Sequence, residues 1–563
     1  MNQRIILAAL VSLMLSACGG GGGSESSTPS TPAAFTINGT AAQGRAMANA
    51  NISIACTVGS GATVARSDGS FSAELPEGSQ LPCLVRATSA DGITVLHSAA
   101  IGASSGTYTT NVSPFSELIL ARASGSEPSA LFAEFASRHG EITSSSLADG
   151  IAYTRDALTG TVDLAGINPI TDPLVAAHDG VSGNALDATI DAFITKLASA
   201  RTALPSITGA IAANPNAPAA VATLLQPAAQ SCQSLRTGSY RAINPSEMEA
   251  SKRARLVHLD AQTLVLTESD DSTMQLGETT QGACALFARS TDASGDYVHR
   301  FYVSPSGVMI RYTTRDNNNF APLSMTILIP EQKLGITELA GRFNWMWFGK
   351  TMPAATSNSM NLGTYTIESN GIISESMNCI DVAGCQTSLT APGTIAVNTE
   401  GGFDYVNPNG ESARWFAFKG ANGNLAIIGA GTGHTDYSSL RVLTRMTALA
   451  LPAVAESSRI WDMQLSGTGE LSMLYSSTFT VASVDTSTST VVRQRDDGRF
   501  DTSTFNSPRL GLRYRALNAC TTAGAPTNCT KAIQANWVGL GITTYGSWEA
   551  SAAPSLGISV TRP

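Results

Sequence analysis

The chain has 563 residues, 43% hydrophobic, 6% aromatic and 14% charged, enough apolar material for several cores in roughly three to five domains. Its net charge is −9 and its basic residues cluster only in the short run Ser251 to Arg255, which argues against nucleic acid as a partner. Beyond the leader no apolar run approaches the ~20 residues that cross a bilayer as a helix.

Residues 1–17 have a basic start at Arg4, an apolar run from Ile5 to Leu15 and small residues before a cut, the three parts of an export signal. The residues Leu15, Ser16, Ala17, Cys18 and Gly19 resemble the lipobox of bacterial lipoproteins, which implies cleavage before Cys18 and its acylation. The other reading is an ordinary signal peptide cut elsewhere. Residues 18–34 form a Gly/Ser/Pro tract without apolar periodicity, a flexible tether with a reach of roughly 20 to 25 Å. Gly19 rather than an aspartate after Cys18 implies, by the same resemblance, sorting to the outer membrane of a Gram-negative bacterium, on its periplasmic or extracellular face. The poly-glycine tether also resembles those of surface-displayed lipoproteins of the transferrin-binding and factor-H-binding kind.

Residues 35–111 alternate apolar and polar side chains around Gly39 and Gly44, and Asp68-Gly69 marks a hairpin turn before Phe71 and Leu75. This predicts a β-sandwich. Its Gly-rich opening, Asn-Ala pair and Asp-Gly-x-Phe resemble the carboxypeptidase-regulatory-like, or transthyretin-like, domain, which implies a spacer or binding module.

Over residues 112–229 the period changes to that of helices. Ser113 can cap a helix with Pro114 at its first position and Gly125 at its end. Helical pattern continues through Ser129 to Gly140, Ser146 to Gly160 and Asn184 to Leu204. In the last, Leu186, Ile190, Phe193, Ile194, Leu197 and Leu204 share a face, and Asp187 and Asp191 near the start and Lys196 and Arg201 near the end complement the helix dipole.

From residue 230 the chain reads as β and repeats. The endings Ala321 to Pro330, Tyr437 to Met446 and Ala553 to Pro563 align at Leu323, Leu440 and Leu556, and the openings share Gly-x-aromatic or similar stretches. The expectation is three modules, 230–334, 335–452 and 453–563, built as up-and-down, lipocalin-like antiparallel barrels. In each, the closing strand pairs with its own opening strand, so residues 455–563 are expected to fold alone. The alternative is one β-propeller. The fold class is thus mainly β: a sandwich, a helical segment and three tandem barrel-like modules.

Nine cysteines less Cys18 leave eight, in a compartment that permits disulfides. Proximity couples Cys56 with Cys83, Cys232 with Cys284, Cys379 with Cys385 and Cys520 with Cys529. Ligand spacings for a metal are missing, and neither a metal nor a cofactor is expected. Gly102 to Gly106 fits G-x-S-x-G near His97, but without the strand-to-helix context of a nucleophile elbow, so no catalytic residue is assigned. His434 and Asp436 fall in a polar loop equivalent to Asp316 to Asn319. Asp496, Asp497 and Gly498 read as a hairpin turn. The strand Phe343 to Phe348 is apolar on both faces, with Phe343, Trp345 and Trp347 on one side and Met346 and Phe348 on the other. One face then fills a barrel and the other packs on a neighbour. Trp345, Trp347 and Trp415 form the candidate patch for ligand or packing. The functional expectation is a membrane-anchored, surface-exposed binding or scaffolding protein without catalysis, taking a protein, a glycan or a small apolar ligand. The alternative is a secreted hydrolase.

Overall fold

Alternation in the first hundred residues builds two small sheets. The computed structural model describes residues 34–562 except 104, 214–217, 245–246, 248, 281, 317–321, 352–357, 380–384, 388–392, 408–411, 433–436, 466–470 and 550–551. Cys18 and nearly all of the tether lie outside the described residues. Strand Phe35–Thr40 pairs with Ser70–Leu75 and, in parallel, with Gly106–Thr109. The facing sheet has the order Ser60–Val64, Asn51–Val58, Gln80–Thr88, Val95–Ala100. Phe35, Ile37, Ile54, Phe71, Leu75 and Val85 close the core between them. The Cys56–Cys83 disulfide joins residues opposed across two strands. At the Asp68-Gly69 turn Gly69 has φ 78°, a left-handed value that glycine adopts without a Cβ penalty, and the Asp68 carboxylate accepts the Ser70 amide at 2.9 Å.

Helix Pro114–Ser124 begins and ends as its sequence dictates: Ser113 and Ser116 form a reciprocal cap, Pro114 occupies the first turn, and Gly125 ends it at φ 61°. Helices Ser144–Leu158 and Ala185–Ser199 follow. Two helical expectations need correction. The segment from Pro128 breaks into Pro128–Ala133, Phe135–Arg138 and a 3-10 turn His139–Glu141. Leu204 does not extend the preceding helix but starts a new one, Leu204–Ala213. The chain turns at Arg201 with φ 47°, and Pro205, which cannot donate inside a helix, falls in the first turn of the next.

The β region is three sheets of one topology. In each, the opening strand lies beside the closing strand: Gly238–Ile243 against Pro322–Pro330, Gly341–Thr351 against Tyr437–Arg445, and Ser457–Leu465 against Ala552–Thr561. The repeated endings are thus the strands that return each module to its start, and a propeller, which would place them in separate blades, is excluded. The third sheet closes into an eight-stranded barrel through Thr490–Arg495 pairing with Arg499–Phe505, with the hairpin Cys520–Thr522 and Ala525–Thr527 as an appendage. The first two are nine-stranded and incompletely closed; in the second, an isolated bridge Ile372↔Thr394 links strands near the two sheet ends. Disulfides Cys232–Cys284 and Cys520–Cys529 each stay within one module. Cys379 is disulfide-bonded, and the backbone of Cys385, whose side chain is outside the described ones, opposes it across the ladder.

The three modules do not stand apart. One apolar core joins Tyr302, Ile310 and Ile327 of the first to Met346, Phe348 and Phe416 of the second and Trp461, Ile533 and Trp537 of the third. Tyr302 and Trp461 rings meet at 5.1 Å. Asn344 donates to the Leu510 carbonyl at 2.7 Å and Ser306 to the Leu540 carbonyl at 2.7 Å. Pairing is therefore local to each module while the main core is common to all three. This shared core bears on the expectation that residues 455–563 fold alone, because apolar residues of the third barrel, Trp461, Ile533 and Trp537 among them, pack against the other two modules.

Candidate functional site

In the second module, Phe343, Trp345, Tyr365, Tyr405 and Trp415 share one core, drawn from two pairs of neighbouring strands, Gly341–Thr351 with Asn358–Ile367 and Phe403–Val406 with Ser412–Lys419. Tyr405 and Trp415 stack at 4.6 Å with planes 11° apart, and Trp345 and Tyr365 meet at 5.5 Å. Arg441 sits among them, its guanidinium 5.3 Å from the Trp345 ring, 5.7 Å from Tyr365 and 5.4 Å from Tyr405, and it donates to the Tyr365 hydroxyl at 2.9 Å. Gly429 lets the Trp415 ring lie directly against its backbone, since a Cβ there would come within 2.6 Å of the indole. The indole nitrogens of Trp345 and Trp415 are buried without a hydrogen-bond partner among the described residues. Buried N–H donors are seldom left so. The structure thus brings Trp345 and Trp415 to one interior, with Trp347 half-buried at its margin, while Met346 and Phe348 of the same strand face the shared core.

The third barrel is inverted. Leu512, Ile533, Trp537, Ile558 and Val560 point outward into the common core, whereas the alternate positions of the same strands carry polar groups into the lumen. Arg495, Arg499 and Arg515 converge on Asp501 at 2.7, 3.1 and 3.7 Å. Asp462 accepts from Ser559 at 2.8 Å and from Tyr545. Burial pushes the Asp462 carboxyl up and the Tyr545 phenol well above its ordinary value. Arg493 and Arg513 flank Phe505, at 5.5 and 5.4 Å from its centroid, and burial lowers the basicity of both, of Arg513 most. Val481, Val491 and Phe505 of this module make a small apolar cluster with Leu449 from the end of the second. Sequence reasoning missed these arginines; the signal was present as alternate arginines in Val492-Arg493-Gln494-Arg495 and Leu512-Arg513-Tyr514-Arg515.

The first module holds a smaller polar cluster. His299 Nε2 meets the Ser290 hydroxyl at 2.8 Å and Nδ1 meets the Thr313 hydroxyl at 2.9 Å. Arg311 pairs with Glu268. Burial, and then the Arg311 charge, bring the His299 imidazole down to about 4. A Ser-His pair here has a hydroxyl where a nucleophilic triad places a carboxylate to orient the ring, and Glu268 is engaged by Arg311 and, at 3.6 Å, by Arg255.

The other sequence candidates do not come together. Ser104 of the G-x-S-x-G match lies outside the described residues, as do His434 and Asp436. His97 is fully buried and bonded through Nδ1 to Glu117 at 3.0 Å, between sandwich and first helix. Residues 496–498 form the expected turn, Gly498 donating to the Arg495 carbonyl at 3.0 Å with φ 82°. Among the described residues no three His, Cys, Asp or Glu side chains are grouped to hold a metal, and no helix is long and apolar enough to cross a membrane.

No family model and no curated protein matches the chain. Among solved structures, it is similar to a protein of unknown function from the DUF3598 family of Nostoc punctiforme PCC 73102, at 10% identity over 41% of this chain and 99% of that one, with a TM-score of 0.16. It is also similar to isotype 1 transferrin binding protein B from serogroup B Neisseria meningitidis, at 10% identity over 55% of this chain and 62% of that one, with a TM-score of 0.19. A double mutant of transferrin binding protein B from Haemophilus parasuis Hp5 matches at 7% identity over 58% and 75%, with a TM-score of 0.20. Scores of this size assign neither ancestry nor activity.

Proposed function

We propose that this chain is a non-catalytic binding protein, tethered through acylated Cys18 to the outer membrane of a Gram-negative bacterium and displayed at the cell surface, and that the interior of its second module binds a glycan. One observation carries the glycan reading: two buried indoles, Trp345 tilted against Tyr365 and Trp415 stacked on Tyr405, whose N–H groups have no acceptor among the described residues. Aromatic faces cover the apolar C–H side of a sugar, and indole N–H groups donate to its hydroxyls, so a saccharide supplies both missing contacts. A purely apolar ligand would leave the two donors unsatisfied. Arg441 and the Tyr365 hydroxyl add polar groups of the kind that fix orientation in a largely apolar site. The test is a glycan array with the purified full chain, followed by tryptophan-fluorescence titration of the best binder. Trp415→Phe retains the ring but lacks the N–H, and it should weaken binding by about tenfold, the value of one hydrogen bond at roughly 1.4 kcal/mol. An array without a single saturable binder would overturn the proposal.

A further inference from the structure

The lumen of the third barrel poses a charge problem that its own residues do not solve. Five arginines enter it, 493, 495, 499, 513 and 515, against the two carboxylates Asp462 and Asp501. Asp501 is shared by Arg495, Arg499 and Arg515. Asp462 is taken by Ser559 and Tyr545. Arg513, only 7% exposed, bonds to the neutral Asn536 amide oxygen at 2.7 Å, and its Nε has no partner among the described residues. Arg493 touches the Phe505 ring and has no carboxylate within ion-pair distance among the described residues; Glu456 and Asp501 act on it only from further away. Two guanidinium groups, Arg513 buried and Arg493 half-buried, thus lie near one phenyl ring with no carboxylate in ion-pair contact among the described residues.

A buried cation without a counter-charge is strongly unfavourable, and arginine does not shed its proton to escape. Nor is this lumen polar for want of alternatives, since the same strands carry abundant apolar side chains and place them outside. We propose that the lumen of the third barrel is a binding site for a small, multiply charged oxyanion of the phosphate or carboxylate class, held in the forks of Arg493 and Arg513. The planar, five-donor guanidinium matches such groups two bonds at a time, and the Phe505 ring lies 5.5 Å from one guanidinium and 5.4 Å from the other. This site is separate from the aromatic interior of the second module, and either can exist without the other.

The test is the melting temperature of the purified full chain in sodium phosphate, trisodium citrate and sodium chloride at matched ionic strength, with calorimetric titration of any anion that shifts it. The expected result is a saturable rise with phosphate or citrate beyond chloride, at one site per chain. Response to phosphate alone assigns a phosphoryl ligand, and response to citrate alone a polycarboxylate. Arg513→Gln and Arg493→Gln should each weaken the response at least tenfold, and Arg493→Lys, which keeps the charge but loses the fork, should weaken it less. If the Arg513 variant does not fold, the Arg493 pair carries the comparison. A wild-type response no greater than with chloride, or an equal response in the arginine variants, would overturn the proposal.

Discussion

Removing the first two modules from the third exposes what holds the third together. In the whole chain, Trp461, Met463, Leu512, Ile533, Trp537, Ile542, Leu556, Ile558 and Val560 are each at most 3% exposed, and all belong to the core shared with the other modules. At about 1.5–3 kcal/mol per buried side chain, these nine contribute roughly 15–25 kcal/mol as an upper estimate. That exceeds the 5–15 kcal/mol by which a typical domain is stable. A fragment of residues 455–563 forfeits it, and what remains inside is the cluster of Val481, Val491 and Phe505 beneath five arginines. The Cys520–Cys529 bridge, nine residues apart, closes too short a loop to make up the difference. The fragment, expressed in oxidising conditions, should therefore aggregate or lack a cooperative melt. Replacing the outer Leu512, Ile533, Ile558 and Val560 by Thr should improve its solubility without restoring full stability. Size-exclusion chromatography and thermal circular dichroism read both outcomes. A monomeric wild-type fragment with a sharp transition would refute the shared-core account.

Cys18→Ala should abolish fatty-acid labelling and move the protein from the detergent-extracted membrane fraction to the soluble one; unchanged fractionation would sink the anchor. The His299 imidazole, held down to about 4 against an ordinary value of 6.5, binds a proton more readily unfolded than folded between those values. Its contribution to stability is therefore complete above about pH 6.5 and is lost as pH falls toward 4, amounting to up to about 3 kcal/mol. Urea midpoints at pH 7 and pH 4.5 should show a larger loss for the wild type than for His299→Gln, and equal losses would contradict the assignment.

Much of the architecture was legible because local chemistry enforced it. Ser113, Pro114 and Gly125 are a start and a stop whatever surrounds the helix. The repeated endings around Leu440 and Leu556 had to pair with something, and the opening strands nearest in the repeat supply the partner. The aromatic strand at Phe343 to Phe348 announced two buried faces, and it has two. The break after Ala200 was not legible, because Leu204 continues the apolar spacing of the helix before it and only the backbone at Arg201 turns away.

The largest miss has a deeper cause. Alternation assigns side chains to two faces of a strand but does not say which face is the inside of a barrel, since period two is symmetric between them. For an isolated barrel the choice is made by water, and the apolar face turns in. Here Tyr302, Met346 and Phe416 of the neighbouring modules take water's place outside the third barrel, so its apolar face turns out and the arginines of Leu512 to Arg515 and Thr490 to Arg495 turn in. The sidedness of each strand was encoded not in its own sequence but in the apolar faces of the neighbouring modules. A lumen freed from the duty of being a core can hold charge, and that is why the candidate anion site lies in the one barrel whose core is elsewhere.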